Sequence, residues 1–209
     1  VVHAGMGDGR ASMYASLDTS AGCAGTWSDP VQVDDGTDNS CWPQIAVDED
    51  GDPHICWTDR DYYEIQCASS SGGSWGAPET VVASGLQSCH SDVAASGSTL
   101  HVVWQEGDAP RLPAYAHSTG GGGGYTEPFE LSDQFHNWPQ IVADAGGDLH
   151  ALYTYRHSDH DVKYRKMSGG VWGAEQVVST PPSEWTWPSL AIDDGGGLHA
   201  VWHQTDAVE

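Results

Sequence analysis

The stretch Cys41-Trp-Pro-Gln-Ile-Ala-Val-Asp48, followed by His54-Ile-Cys-Trp57, decides the fold, because the chain carries it in four versions. The counterparts of its first half are Cys89-His-Ser-Asp-Val-Ala-Ala, Asn137-Trp-Pro-Gln-Ile-Val-Ala-Asp and Thr186-Trp-Pro-Ser-Leu-Ala-Ile-Asp. The histidines that open the second half are His54, His101, His150 and His199, which lie 47, 49 and 49 residues apart. A period this regular predicts one supersecondary unit repeated along the chain.

Each unit reads as four short strands separated by Gly-, Ser- and Asp-containing turns, which predicts an all-β protein. The first two strands of each unit are apolar on successive residues, so we expect both faces of each sheet to be buried. Sheets stacked face to face around an axis satisfy that pattern, and the fold class we predict is a four-bladed β-propeller of four-stranded antiparallel blades. The predicted blades cover residues 40–86, 87–133, 135–181, and 184–209 together with 10–36.

The fourth unit contains its first two strands only, and strands of the missing type occur near the other end of the chain, around Tyr14 and Trp27. We therefore expect one domain over residues 1–209, with the ring closed by pairing of the two terminal half-blades. The alternative is that the terminal strands pair between molecules and build a filament.

The composition restricts the partners. Thirty acidic residues against seven Lys and Arg give a net charge of −23, which repels phosphate backbones and anionic headgroups. Nucleic acid is therefore a poor candidate partner, and no apolar stretch reaches the roughly 18 residues needed to insert into a membrane. Cations, glycans and other neutral ligands remain.

The five cysteines predict disulfides, and hence a secreted protein in an extracellular or periplasmic setting. Cys56 and Cys67 lie on adjacent strands of blade one, and Cys41 and Cys89 hold the same position in neighbouring blades. Both pairs are candidate bridges. Cys23 is left over, and an odd cysteine in a secreted chain indicates a link between molecules or a free thiol.

The repeat resembles those of sialidase-like (BNR, or Asp-box) propellers, through Pro-x-Ile-Ala-x-Asp-x-x-Gly-x-x-His-x-x-Trp, then Tyr-x-x-Ser and Gly-x-Trp-x-x-Pro. The resemblance covers nearly the whole chain and implies architecture only. The Asp-box is degenerate: Ser16 to Trp27 contains an insertion, and Ser70 to Trp75 lacks the Asp. The family's arginine triad is not matched, because we find no shared repeat position among Arg10, Arg60, Arg111, Arg156 and Arg165. No catalytic residue is assigned, and we lean against an enzyme.

Aromatic residues at the start of the innermost strands are the best candidate site. We expect them to gather at one mouth of the central channel, where aromatic faces could hold sugar rings and nearby polar side chains could bind hydroxyls. The alternative is that the indoles fill the narrow centre of the ring. The candidate ligand-binding residues are Trp42, Gln44, His90, Asp92, Trp138, Gln140, Trp185 and Trp187.

Two further sets of candidate residues can be explained by a structural role as well as by a binding role. Asp48, Asp50 and Asp52 surround Gly51 in a turn whose oxygen ligands suit calcium, the one cofactor that the sequence suggests. Turn capping is favoured, because blade two forms the same turn around Gly97 without an acid. The four repeat histidines are expected to be structural, each bonding a backbone group at a strand end and fixing blade to blade.

The leading functional hypothesis is thus a non-catalytic extracellular recognition module, lectin-like, that binds carbohydrate at the aromatic mouth. The second is a structural subunit of a surface layer or filament, self-associating through Cys23 or the terminal strands. The third is a glycan-cleaving enzyme of the sialidase-like class.

Overall fold

The computed structural model describes residues 2–4, 10–17, 19, 25–36, 39–108, 111–118, 124–155, 161–179 and 187–203. These residues form strands and turns arranged in five antiparallel sheets. Cys23 and Trp185 lie outside the described residues, as does Arg156. No helix in the described part of the chain is long and apolar enough to span a bilayer.

The five sheets follow one another along the chain. Sheet I contains β1 (Val2–Ala4), β2 (Ser12–Tyr14) and β3 (Val31–Gln32). Sheet II contains β4 (Ser40–Val47), β5 (Pro53–Asp59), β6 (Glu64–Ser71), β7 (Ser74–Trp75) and β8 (Glu79–Val82). Sheet III contains β9 (Cys89–Ser96), β10 (Thr99–Glu106), β11 (Leu112–His117) and β12 (Phe129–Glu130).

Sheet IV contains β13 (His136–Ala143), β14 (Leu149–Tyr155), β15 (Val162–Ser168), β16 (Val171–Trp172) and β17 (Gln176–Val177). Sheet V contains β18 (Ser189–Ile192) and β19 (Leu198–Val201). The first strands of sheets II to V contact one another in succession, β4 with β9, β9 with β13, and β13 with β18.

The hydrophobic core is divided among the interfaces between successive sheets. One cluster around Trp57 joins sheets I and II, one around Trp104 joins II and III, and one around Tyr153 joins III and IV. These three large side chains occupy the same repeat position in the second strands and are fully buried. Stacked sheets therefore bury both faces of β5, β10 and β14, as the uninterrupted apolar runs predict.

The first strands depart from that prediction. In β4, Ile45 and Val47 are exposed, and the strand alternates between covered and open positions. Strand β9 contacts two other first strands, β4 and β13, whereas β4 contacts β9 and the three-residue strand β1, so less of β4 is covered. Burial on both faces is found in the second strands of sheets II to IV and at residues 113–116 of β11.

The described residues show no closed ring, which corrects the closure expected from the sequence. The predicted closure needs β19 to pair with β2, but β1 pairs with one edge of β2 and β3 with the other. Sheet V is correspondingly open, with Val201 exposed at a position whose counterparts in sheets II to IV, Cys56, Val103 and Leu152, are buried.

Candidate functional site

The start of each innermost strand has an unusual backbone. Trp42, His90 and Trp138 occupy the same repeat position and have φ of 51°, 53° and 49°, in the left-handed region that bulky residues rarely adopt. In each sheet the pairing register shifts at this point, which marks a β-bulge. A bulge re-aims the side chain it carries. Three repeats hold the same costly conformation, so the neighbouring structure must enforce it.

The three bulged residues and Trp187 bring four aromatic rings into one continuous row. The rings of Trp42 and His90 stack with centroids 4.1 Å apart, those of His90 and Trp138 meet edge to face at 6.2 Å, and those of Trp138 and Trp187 lie 5.3 Å apart. Trp42 is 41% exposed and Trp187 is 57% exposed. We call Trp42, His90, Trp138 and Trp187 the aromatic row. Side chains predicted from the repeat to gather are thus in contact, with open faces.

Arginines accompany the row, which the sequence analysis missed. The backbone carbonyls of Arg10 and Arg111 accept hydrogen bonds from the first residues of the next sheets, Ser40 and His136, so the two arginines are repeat equivalents. This corrects the view that the arginines share no position. Aligning the chain on the tyrosines of the third strands would have revealed the match, because each arginine lies four residues before such a tyrosine.

Two arginines, Arg60 and Arg111, influence the aromatic row directly. The Arg60 guanidinium carbon lies 5.9 Å from the Trp42 ring centroid, within range of a cation–π contact. Burial, with a smaller contribution from Arg111, lowers the pKa of His90 to about 4. His90 is therefore an uncharged aromatic ring at neutral pH. Although the chain carries −23 overall, cationic groups collect at this end of the strands.

The polar residues beside the row are less available than predicted. Asp92 Oδ2 accepts a 2.8 Å hydrogen bond from the Ile141 backbone N–H and so links sheet III to sheet IV. Gln140 Nε2 donates to the Pro139 carbonyl at 3.1 Å. Gln44 is half-buried at the equivalent position of sheet II. One oxygen of the Asp92 carboxylate is thus engaged between two sheets, and its role as an acceptor for ligand hydroxyls stays a prediction.

Asp92 supports a prediction of pH-dependent stability. Burial raises the pKa of its carboxyl to about 6, above the ordinary value of 3.8 for an aspartate. The ionised carboxylate therefore opposes folding, and this penalty is absent at low pH and grows as pH rises from about 4 to 6. Asp92→Asn keeps an acceptor for Ile141 and removes the charge. We expect it to raise the free energy of unfolding by about 3 kcal/mol at pH 7.5, since each pKa unit corresponds to about 1.4 kcal/mol and the shift is about two units.

Urea unfolding of the wild type and Asp92→Asn at pH 4 and pH 7.5 checks this. The gain should nearly vanish at pH 4. A variant equally stabilised or destabilised at both values would show that the Asp92 charge does not control stability.

The Asp48 loop is held together by its own hydrogen bonds. Asp48 Oδ1 accepts from the backbone N–H groups of Asp50 and Asp52 at 3.0 and 2.9 Å, and Oδ2 lies 3.1 Å from His54 Nε2. The His54 contact, followed by the backbone bonds, keeps the pKa of Asp48 below its usual range. Among the described residues no three His, Cys, Asp or Glu side chains converge as a metal site requires. The geometry favours turn capping, and calcium binding stays a prediction.

The repeat histidines bond side chains within their own sheets, which corrects the predicted backbone bonds between blades. His150 Nε2 lies 3.3 Å from Asp144 and His199 Nε2 2.9 Å from Asp193, repeating the pair of sheet II. His101 has no such carboxylate partner, because Ser96 stands in the position of the Asp. Its Nδ1 meets the Tyr115 hydroxyl at 2.8 Å, as His150 Nδ1 meets that of Tyr164 at 2.7 Å. The carboxylate six residues upstream of His150 and His199 is the sequence signal that identifies the partner.

The structure contains a disulfide between Cys56 and Cys67, which are directly paired across β5 and β6 with Cα atoms 4.1 Å apart. Cys41 and Cys89 are buried free thiols, so the bridge expected between them is not formed. The Cys41 thiol faces the Thr58 carbonyl on its own sheet at 3.6 Å. Burial raises the pKa of Cys41 to about 12 and that of Cys89 to about 11, so both stay protonated at neutral pH.

No protein-family model matches the chain, and no curated protein matches it by sequence. Solved structures do match its fold. An intramolecular trans-sialidase from Ruminococcus gnavus superposes with a TM-score of 0.62 at 15% identity over 94% of this chain and 47% of the other. The NanB sialidase from Streptococcus pneumoniae gives 0.64 at 10% identity, over 94% and 33%.

A polysaccharide lyase, the PL25 ulvan lyase, gives a TM-score of 0.63 at 10% identity, covering 94% of this chain and 56% of the other. The chain thus spans between a third and about half of the length of these proteins. At such identities the likeness concerns the fold alone. The successive antiparallel sheets of this chain have the architecture of a sialidase-like β-propeller.

Proposed function

We propose that this chain is an extracellular carbohydrate-recognition module that binds glycans at the aromatic row. The observation that carries the proposal is the row itself, in which bulged, positive-φ positions in three successive sheets hold large rings at an open surface. Backbone strain of this kind is concentrated at functional sites. A row built only for packing would gain nothing from leaving Trp42 and Trp187 substantially exposed.

The solved structures that share the fold include two sialidases and an ulvan lyase, which are enzymes that act on glycans. This likeness supports a carbohydrate ligand. The Cys56–Cys67 disulfide supports an oxidising, extracellular setting. The arginines beside the row favour a glycan with acidic groups over a neutral one, because guanidinium groups bind carboxylate and sulfate oxygens in paired hydrogen bonds.

Recognition is preferred to catalysis because the one carboxylate among the candidate ligand-binding residues is tied to the neighbouring sheet. Asp92 bonds Ile141, so it is not poised as an acid or base at the row. Glycan cleavage usually needs two carboxyl groups placed on either side of the scissile bond. A fluorogenic glycoside screen tests the enzymatic alternative, and turnover abolished by one carboxylate substitution would establish it.

Removing one ring of the row tests the proposal. In Trp138→Gly, the residue keeps its φ of 49° at no cost, because glycine is free to adopt that conformation. Loss of a single stacking ring is expected to weaken glycan binding about tenfold, the equivalent of about 1.4 kcal/mol. The measurement is a glycan array, run in calcium and in chelator, followed by titration calorimetry with the best ligand.

Trp27→Ala is the matched control, because Trp27 is another exposed tryptophan, placed in the hairpin of sheet I and outside the row. It should leave affinity unchanged. If no glycan binds wild-type protein under either condition, recognition is wrong and the structural alternative becomes the leading one. If Trp138→Gly binds as the wild type does, the ligand lies elsewhere on the molecule.

A further inference from the structure

A cavity of about 620 Å³ lies between sheets III and IV, at the hairpin end of the strands. The aromatic row lies at the opposite end of the same strands. Strand β9 runs between the two. The distance from His90 to the last residue of the strand, Ser96, at the end where the cavity lies, is about 20 Å at roughly 3.3 Å per residue. Its lining includes His101, Tyr115, His117, Phe129, Met167 and Trp172.

His101 is the first unusual feature of this cavity. Its repeat counterparts His54, His150 and His199 each bond an aspartate through Nε2. In sheet III that aspartate is replaced by Ser96, and the hairpin is one residue shorter. Within the described residues, the Nε2 atom of His101 therefore has no hydrogen-bond partner, while its Nδ1 meets Tyr115.

Two further nitrogens of the lining also lack partners among the described residues. His117 Nδ1 and Trp172 Nε1 are buried without a hydrogen bond. Buried polar groups are satisfied in the great majority of cases, so each exception calls for an explanation. His101 Nε2 is not one of these enclosed atoms, so of the three nitrogens it is the one that an acceptor in the cavity reaches directly.

The remaining lining is largely aromatic or apolar and contains one carboxylate. Tyr115 and Trp172 meet edge to face with ring centroids 5.2 Å apart, and Phe129 is 48% exposed beside them. Burial, and to a lesser extent His117, lowers the pKa of His101 to about 4, so this imidazole is neutral at pH 7. The charged residue of the lining is Glu127, which disfavours an anionic ligand.

We propose that this cavity is a second binding site, for an uncharged aromatic ring that carries an accepting oxygen. The ring lies against Trp172, Tyr115 and Phe129, and its oxygen accepts a hydrogen bond from the Nε2–H of His101, whose Nδ1 meets the Tyr115 hydroxyl. The volume falls within the range of about 300–1,000 Å³ that is usual for small-molecule sites, and walls that are mostly apolar with a few polar groups are typical of them. The site is independent of glycan binding at the aromatic row.

The repeat supplies a matched control for Trp172. Trp75 occupies the equivalent position of sheet II and packs edge to face on Tyr14, with centroids 5.1 Å apart, as Trp172 packs on Tyr115. Trp75 is not part of the lining of this cavity. Trp172→Ala and Trp75→Ala thus remove the same contact, and only the first removes a wall of the proposed site.

Methionine methyl NMR gives a direct readout. The chain has three methionines, Met6, Met13 and Met167; of the two that the structure describes, Met167 lines the cavity and Met13 does not. Protein labelled at the methionine methyls is titrated at pH 7 with 2-naphthol, which is uncharged, with 2-naphthoate, which is anionic, and with a methyl glycoside. We expect 2-naphthol alone to shift the Met167 signal to saturation while the Met13 signal stays in place.

In Trp172→Ala the dissociation constant for 2-naphthol should rise about tenfold, the change that corresponds to about 1.4 kcal/mol, and Trp75→Ala should bind as the wild type does. If Trp172→Ala does not fold, His101→Phe keeps an aromatic wall and removes the Nε2 donor. That variant should weaken binding about fivefold, as expected for one lost hydrogen bond of about 1 kcal/mol.

Several results would overturn the proposal. They are an unmoved Met167 signal, parallel movement of Met13 and Met167, equal weakening by the two alanine variants, and a preference for 2-naphthoate or the methyl glycoside over 2-naphthol. None of these depends on whether glycans bind the aromatic row, so the two proposals fail separately.

Discussion

Replacing Trp57 by alanine is expected to lower the free energy of unfolding by about 3–5 kcal/mol, the range for deleting a fully buried large aromatic side chain. Trp57 has 0% exposure and packs with Val33, Ile55 and Ala68 between sheets I and II. Truncation leaves a cavity where two sheets stack, and the β-strands on either side cannot collapse into it without losing their pairing. The measurement is urea unfolding followed by circular dichroism.

Two comparison variants sharpen this test. Trp27→Ala removes an indole that is 55% exposed, and we expect a change within about 0.5 kcal/mol. Trp57→Phe keeps most of the buried ring and removes an indole N–H that has no hydrogen-bond partner in the described structure. Its cost should be well below that of alanine. Equal effects of Trp57→Ala and Trp27→Ala would mean that the interface between sheets I and II contributes little to stability.

Breaking the disulfide between Cys56 and Cys67 should cost about 3 kcal/mol, from the chain entropy that an 11-residue separation restricts in the unfolded state. The bond joins paired positions of β5 and β6, the two central strands of sheet II, and both cysteines are buried in the interface with sheet III. A double Cys56→Ala, Cys67→Ala variant loses the link together with some packing. Unfolding of the wild type and of the double variant, each measured with and without reductant, separates the contribution of the link from that of the packing.

Reductant should lower the unfolding midpoint of the wild type and leave that of the double variant unchanged, because Cys41 and Cys89 are free thiols in the folded protein. If wild-type stability is insensitive to reductant, the bond is not formed in solution. In that case the extracellular setting also loses the support of this disulfide.

The repeat period, the all-β class and the strand positions could be predicted from the sequence, since they depend on local patterns. Short apolar runs and Gly turns recur with each unit, and a strand needs only those near neighbours to be recognised. The placement of Cys56 beside Cys67 follows from the same hairpin logic. Gathering of the aromatic row could also be expected, because four equivalent positions of one repeat must lie at the same end of their sheets.

Contacts between sheets could not be predicted in this way, because they depend on how each edge and face is covered by residues far along the chain. The Asp92 carboxylate accepts a hydrogen bond from the backbone of Ile141 in the next sheet, which no local pattern reveals. The pairing of β1 with β2 excludes the expected closure with β19, since a strand has only two edges. The sequence by itself determined the unit and its strands, while the stacking of units decided which side chains are free at the row and which are tied. The physical reason is that hydrogen bonding within a hairpin is local, whereas burial and side-chain partners are set by the neighbouring sheet.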